Sequence, residues 1–236
     1  MNINSKITSG LHPDNVTAIE GYDDETKPYL NTTLEAFSTA YCGLDSIHTA
    51  RDAAKRNPAW NEASQILQTA QFAEKQRDLM ARKFDSALAG LNKGIAGIED
   101  MLTTPLQHAA STGTISTEIR AHAKALSTDK RYEFLKAAQD AGDTTTLCAV
   151  LGAPAFLSGM TQVDRDVYTR LYHESKAPEA AKRLNVMKKA RDLIYDRSGL
   201  IFTETEKAVG ASQSKINMLR KARDEAERAF IVRDVQ

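Results

Sequence analysis

The chain has 236 residues, of which 42% are hydrophobic and 26% are charged, a mixture typical of a soluble globular protein. Its 31 basic residues balance its 31 acidic residues, which argues against a protein whose whole surface binds nucleic acid or an anionic membrane. No stretch of about eighteen apolar residues occurs, and the first ten residues lack the pattern of a secretion signal. We therefore expect a soluble protein of a reducing compartment, the cytoplasm.

Residues 1–28 form a polar, acidic segment in which apolar residues are isolated and no helical period is sustained. Such a segment does not build a core by itself. We expect an N-terminal arm that is either mobile or ordered along something else, such as a neighbouring subunit.

Region 29–104 predicts two helices. The first runs from about 32 to 56, and Asn57-Pro58 predicts the next boundary, with Pro58 in the first turn of the second helix and Asn57 as its cap. The second helix runs to about 102 and is closed by Pro105. Its apolar residues follow a spacing of three and four: Ala63, Ile66, Ala70, Ala73, Met80, Phe84, Leu88, Leu91, Ile95, Ile98 and Leu102.

Three glycines, Gly90, Gly94 and Gly97, lie within this predicted helix, where each costs about 1 kcal/mol relative to alanine. The run fits neither a phosphate-binding loop nor a dinucleotide fingerprint. We predict instead that these glycines are packing or partner contacts, at which another backbone approaches closely.

Region 105–176 predicts a head of short helices. Ser127 is a candidate cap, and Thr161 with Asp164 resembles a capping box whose helix has Val163, Val167 and Leu171 on its inner face. The most apolar stretch, 147–157, ends at Phe156 and Leu157. It predicts a buried turn, and the alternative is an exposed tip that inserts into a partner.

Region 177–236 predicts a second long helix, which begins near Pro178 and reaches about 232, with Gly199 and Gly210 as candidate bends. Its apolar stripe comprises Leu184, Val186, Met187, Leu193, Ile194, Leu200 and Ile201, and later Ile216, Leu219, Ala226 and Phe230. The predicted fold is all-α. Two long helices form an antiparallel coiled-coil-like hairpin, with an additional N-terminal helix and a small helical head. Whether the long helices pair within one chain or between chains stays open.

No catalytic or metal-binding constellation emerges from the sequence. Two S-x-x-K matches begin at Ser127 and Ser212, but the accompanying motifs of that enzyme class are absent and the pattern is loose. Cys42 and Cys148 lie in hydrophobic helical contexts, and the five histidines are scattered without metal-ligand spacing. We expect no enzyme, no cofactor and no metal; a site between the head and the long helices is the enzymatic alternative.

Basic residues cluster twice in the last predicted helix. They are candidate nucleic-acid contacts, although acidic residues are interspersed at pairing distances and favour an ordinary solvated face. These residues are Lys182, Arg183, Lys188, Lys189, Arg191, Arg220, Lys221 and Arg223.

Residues 130–189 carry Gly142-Asp143, the turn 151–159, and Tyr172-His173 before Ala177-Pro178-Glu179. This block, about a quarter of the chain, resembles a segment of helical proteins encoded by tailed bacteriophages and prophages. The resemblance implies a viral context and attaches no activity to it.

The sequence favours a non-enzymatic helical structural protein that self-associates, as a bacteriophage virion component or assembly factor. Its expected partners are copies of itself or other virion proteins, without a membrane span, in the host cytoplasm and in the virion. The alternative is a nucleic-acid-associated protein that uses the basic faces described above.

Overall fold

The structure is a computed structural model that describes residues 5–111 and 113–230. These residues contain ten α-helices, two short 3-10 helices and no β-strand, which confirms the predicted all-α class. Helices α1 to α10 span Asp14–Thr17, Lys27–Arg56, Glu62–Ser111, Thr114–Ala125, Thr128–Asp140, Thr144–Leu151, Gln162–Lys176, Pro178–Arg197, Leu200–Val209 and Gln213–Arg228. The 3-10 helices span Ser9–Leu11 and Ala155–Ser158.

The chain divides into two compact units. Unit 1 comprises 1–91 and 189–236, and unit 2 comprises 92–188. No helix of the described residues is both long enough and apolar enough to cross a membrane.

Unit 1 is built on a hairpin of the two longest helices, α2 and α3. Phe37 meets Phe84 at a ring-centroid distance of 5.0 Å, and Met80 packs beside Gly43 further along α2. Lys83 Nζ lies 2.6 Å from Glu35 Oε1 at the margin of this contact. The two helices are antiparallel, since the residue numbers of the contacts increase along α2 from Phe37 to Gly43 and decrease along α3 from Phe84 to Met80.

The predicted apolar seam of α3 is confirmed at its centre, where Ala70, Ala73, Met80, Phe84, Leu91 and Ile95 are buried. Removing each large side chain from water contributes about 1.5–3 kcal/mol. The hairpin therefore depends on the ladder that the sequence shows.

Within the described residues 5–28, the N-terminal arm lies on α2 of its own chain. Ile7, Leu11 and Val16 are buried, and the first 3-10 helix and α1 both contact α2. Lys6 Nζ also bonds to Asp52 Oδ2 at 3.1 Å. Leu11 lies in the first 3-10 helix and Val16 in α1, the two elements that contact α2, whereas Ile7 lies in the bend that precedes them.

Both predicted ends of α3 differ from the structure. The helix begins at Glu62, because Asn61 Oδ1 accepts from Ser64 N at 2.9 Å, while Asn57 makes a local turn with Ala59. It also continues through Pro105 to Ser111. A proline inside a helix costs about 3 kcal/mol. Burial of Leu102, Leu106 and Ala110 on one face offsets that cost.

The predicted second long helix is three helices, α8 to α10. The first helical interruption is a turn at Ser198–Gly199. The second follows α9, where Gly210 has φ +75° and Ser212 accepts a hydrogen bond from Lys215 N at the start of α10. Within unit 1, α9 begins beside residues 70–77 and ends beside residues 62–69 of α3. It therefore runs antiparallel to α3.

Helix α10 reverses this direction. Lys215 Nζ bonds to Glu62 Oε1 at 2.9 Å and Arg220 Nη2 to Glu74 Oε2 at 2.7 Å, so its contacts advance along α3. The predicted stripe holds at Ile216, which is buried, and fails at Phe230, which is 86% exposed. The predicted end near 232 lies outside the described residues.

Unit 2 has its own core. It consists of Ala123, Leu135, Ala138, Leu147, Val150, Leu151, Ala155 and Met160, from α4, α5, α6 and the second 3-10 helix. Gly152 sits directly on the backbone carbonyl of Leu106, which brings the end of α6 against α3. Helix α3 also pairs with α8 here, where Glu99 Oε1 lies 2.6 Å from Lys188 Nζ.

A buried arginine and two helix caps fix the loops of unit 2. Arg131 donates to the carbonyls of Ala123, Leu126 and Gly159 at 2.8, 2.8 and 2.5 Å. Asp143 accepts from Thr146 N at 3.0 Å, and the predicted cap Thr161 accepts from Asp164 N at 3.1 Å. The loops between α4 and α7 are therefore held by polar contacts as well as by the core.

Candidate interaction surface

Helix α7 turns its aromatic side inward. Tyr168 and Tyr172 pack against the core of unit 2, and burial together with a 3.5 Å contact to Cys148 Sγ raises the pKa of Tyr172 to about 12. The sequence prediction that Val163 and Val167 form the inner face is wrong: they are 72% and 42% exposed. Two tyrosines bury far more area than two valines, so the larger side chains take the core.

The second 3-10 helix leaves two apolar side chains in solvent. A 3-10 helix repeats every three residues, so Ala155 and Ser158 share one side, and both are buried. Phe156 and Leu157 lie between them and are 67% and 39% exposed. The predicted burial therefore holds for most of the stretch, and its last two large residues match the exposed alternative.

We call Phe156, Leu157, Val163 and Val167 the exposed apolar group. The 3-10 helix contacts α7, and Val163 and Val167 lie four residues apart on one face of that helix. Single exposed apolar residues are ordinary, whereas several on adjoining elements are typical of a protein-contact surface. The sequence does carry a signal for this surface. Helix α7 has a second apolar stripe, Tyr168 and Tyr172, and only one of the two stripes can face the core.

No protein-family model, curated protein or solved structure matches the chain.

The three glycines of α3 do not share the environment predicted for them. A Cβ added at Gly94 meets the Met187 side chain, whereas Gly90 and Gly97 have nothing within 4 Å. No other backbone of the described residues approaches these two positions. The close backbone approach occurs instead at Gly152, which the sequence did not single out for this reason.

The first basic cluster is engaged in ion pairs. In unit 2, Arg183 pairs with Glu179 at 3.3 Å and Lys188 pairs with Glu99 at 2.6 Å. Lys182 also interacts with a neighbouring group.

In unit 1 the pattern continues. Lys189 Nζ lies 2.5 Å from Glu20 Oε2, which lowers the pKa of Glu20 through that hydrogen bond and its charge. Arg191 pairs with the adjacent Asp192 at 2.8 Å. The carboxylates thus neutralise the cations of this cluster.

The second basic cluster, on α10, is paired in the same way. Arg220 reaches Glu74 at 2.7 Å, and Lys221 and Arg223 pair with acidic residues of their own helix. An exposed pair contributes only about 0–1 kcal/mol, so a phosphate can compete for these cations. The eight candidate nucleic-acid contacts nevertheless present no row of uncommitted positive charge.

The two S-x-x-K matches both lie at helix starts. Ser127 occupies the cap position of α5, and Ser212 accepts from Lys215 N at 3.3 Å at the start of α10. Cys42 is exposed and Cys148 is half-buried beside Tyr172. In the part of the chain that the structure describes, no three His, Cys, Asp or Glu side chains are grouped to hold a metal ion.

Proposed function

We propose that the chain is a non-enzymatic helical structural or interaction protein that self-associates. The observation that carries this proposal is the exposed apolar group of unit 2, where four apolar side chains lie in solvent, while Ala155 and Ser158 are buried and Tyr168 and Tyr172 are partly buried on the same two elements. Because these side chains are partly exposed, covering one of them contributes on the order of 1–2 kcal/mol. In a symmetric pair each residue contributes twice, which makes a small surface effective.

The biological setting that we propose is a bacteriophage particle or its assembly. Support comes from the resemblance of residues 130–189, which include both Phe156–Leu157 and Val163–Val167. In that setting the partners are copies of this chain or other particle proteins, in the host cytoplasm and in the virion.

The nucleic-acid alternative has weaker support, because the basic residues proposed for it interact with neighbouring groups, seven of them in ion pairs. A salt titration of DNA binding tests it. A protein that uses these cations loses affinity steeply as salt rises, whereas undetectable binding at low salt rejects that function.

Light scattering tests self-association. We expect the wild-type protein to exceed the monomer mass at tens of micromolar, and the double variant Phe156→Ser with Val163→Ser to shift towards the monomer. Met218→Ser is the matched control, because Met218 is an exposed apolar residue of unit 1 and outside the exposed apolar group. A wild type that stays strictly monomeric, or a control that dissociates equally, argues against the proposal.

A further inference from the structure

Unit 2 contains a cavity of about 480 Å³ that none of the features above explains. Its walls come from α3, α7 and α8, with Leu151 of α6. Pockets for small molecules occupy about 300–1,000 Å³. The cavity is therefore large enough for a small organic ligand.

One wall is a polar stripe of α7, formed by Arg165, Thr169 and His173 at successive intervals of four residues. Arg165 Nε, Thr169 Oγ1 and His173 Nε2 are buried and have no hydrogen-bond partner in the described part of the chain. A buried polar atom left unpaired costs about 1–3 kcal/mol. Three such atoms on one helix face, beside one cavity, point to a ligand that pairs with them.

The charges of the walls single out Arg165. Lys188 is neutralised by Glu99 at 2.6 Å, and Arg170 pairs with Glu174 at 3.8 Å. Arg165 has no ion pair of this kind among the described residues. Its planar guanidinium is suited to a carboxylate, with which it forms two parallel hydrogen bonds.

The walls carry equal numbers of acidic and basic side chains. The three carboxylates are Glu99, Asp166 and Glu174, and the three cations are Arg165, Arg170 and Lys188. The cavity therefore has no general positive field, and selection of an anion depends on Arg165 itself. Burial lowers the pKa of His173, which disfavours its charged form at this wall.

The walls from α3 and α8 include three leucines, Leu102, Leu106 and Leu184, among polar residues. We propose that this cavity binds a small organic carboxylate with an apolar body, its carboxylate on Arg165 and Thr169 and its body against the leucines. The polar atoms are shielded from solvent, so binding includes rotation of the Arg165 and Thr169 side chains towards the ligand. None of the four residues of the exposed apolar group lines the cavity, so ligand binding and self-association are tested independently of each other.

Isothermal titration with hexanoate tests the proposal, with hexan-1-ol as the neutral probe of the same chain length. We expect saturable binding of hexanoate to the full chain and binding of hexanol at least about tenfold weaker, since a hydrogen bond to a charged group contributes about 1.5–3 kcal/mol. Arg165→Gln should weaken hexanoate about tenfold or more. Arg170→Gln is the control: it removes a cation of the same wall that already has a partner, and should change affinity less than about threefold.

Thr169→Val keeps the shape of the side chain and removes only the hydroxyl, so it tests the site if Arg165→Gln fails to fold. It should weaken hexanoate while leaving hexanol binding unchanged. Absence of saturable hexanoate binding to the wild type overturns the proposal. Equal affinity for hexanol and hexanoate, or equal losses from Arg165→Gln and Arg170→Gln, also overturns it.

Discussion

Gly152 offers a sharp test of the packing in unit 2. It ends α6 with φ −81°, a conformation that alanine adopts without strain. A Cβ at this position, however, collides with the carbonyl of Leu106 and lies 2.8 Å from Ala110 Cβ. Backbone atoms cannot rotate aside as a side chain can, so Gly152→Ala has to move α6 away from α3. We expect a loss of about 1–3 kcal/mol in the free energy of unfolding.

Gly97→Ala is the matched control, because Gly97 lies inside α3 and has nothing within 4 Å. Alanine there should stabilise the protein by about 0.5–1 kcal/mol through its higher helix propensity. Urea unfolding followed by circular dichroism measures both variants. The denaturation midpoint should fall for Gly152→Ala and rise for Gly97→Ala. An unchanged or higher midpoint for Gly152→Ala contradicts the contact between α6 and α3.

Three further variants test other contacts by the same unfolding assay. Arg131→Lys should lower the free energy of unfolding by about 2–4 kcal/mol, because one ammonium group cannot bond all three carbonyls that the Arg131 guanidinium bonds. An unchanged free energy of unfolding would show that these three hydrogen bonds do not stabilise the loops. Leu91→Asp places an unpaired charge at a side chain that is buried in the seam, and should cost several kcal/mol; an unchanged melting temperature means that the seam is misassigned. Asp143→Ala removes a helix cap and should cost about 1 kcal/mol. Hydrogen bonds from the hydroxyl and the amide of Thr146 hold the pKa of Asp143 below its ordinary 3.8, so this stabilisation is present above that value and is lost as the pH falls through the folded-state pKa. A stability difference between the wild type and the Asp143→Ala variant that persists at lower pH is inconsistent with an ionised cap.

The sequence predicts those features of the fold that depend on local chemistry. The buried seam of α3 is predicted by apolar residues spaced three and four apart. The helix cap at Thr161 is predicted because its hydroxyl lies three residues before Asp164, the spacing of a capping box. These rules need no knowledge of the neighbouring helices. The all-α class follows for the same reason.

The features that the sequence did not predict depend on tertiary competition. Pro105 marks a helix end by local rules, but the burial of Leu106 beyond it favours continuation of α3. Helix α7 carries two apolar stripes, and only the shape of the core selects Tyr168 and Tyr172 over Val163. The same competition leaves the exposed apolar group in solvent. The sequence therefore offers exposure as an alternative for Phe156 and Leu157, but it does not predict the exposure of Val163 and Val167.

The central claim, self-association through the exposed apolar group, can be tested by mixing ¹⁵N-labelled wild-type chains with unlabelled chains that carry a nitroxide. The nitroxide is attached at Val167→Cys in a Cys42→Ser background, since Cys42 is exposed and would also react. We predict that the label broadens the amide signals of residues 156–167 in the partner chain, and that a label at Met218→Cys leaves them sharp. Absence of broadening at concentrations where the protein exceeds its monomer mass, or equal broadening from both labels, contradicts the claim.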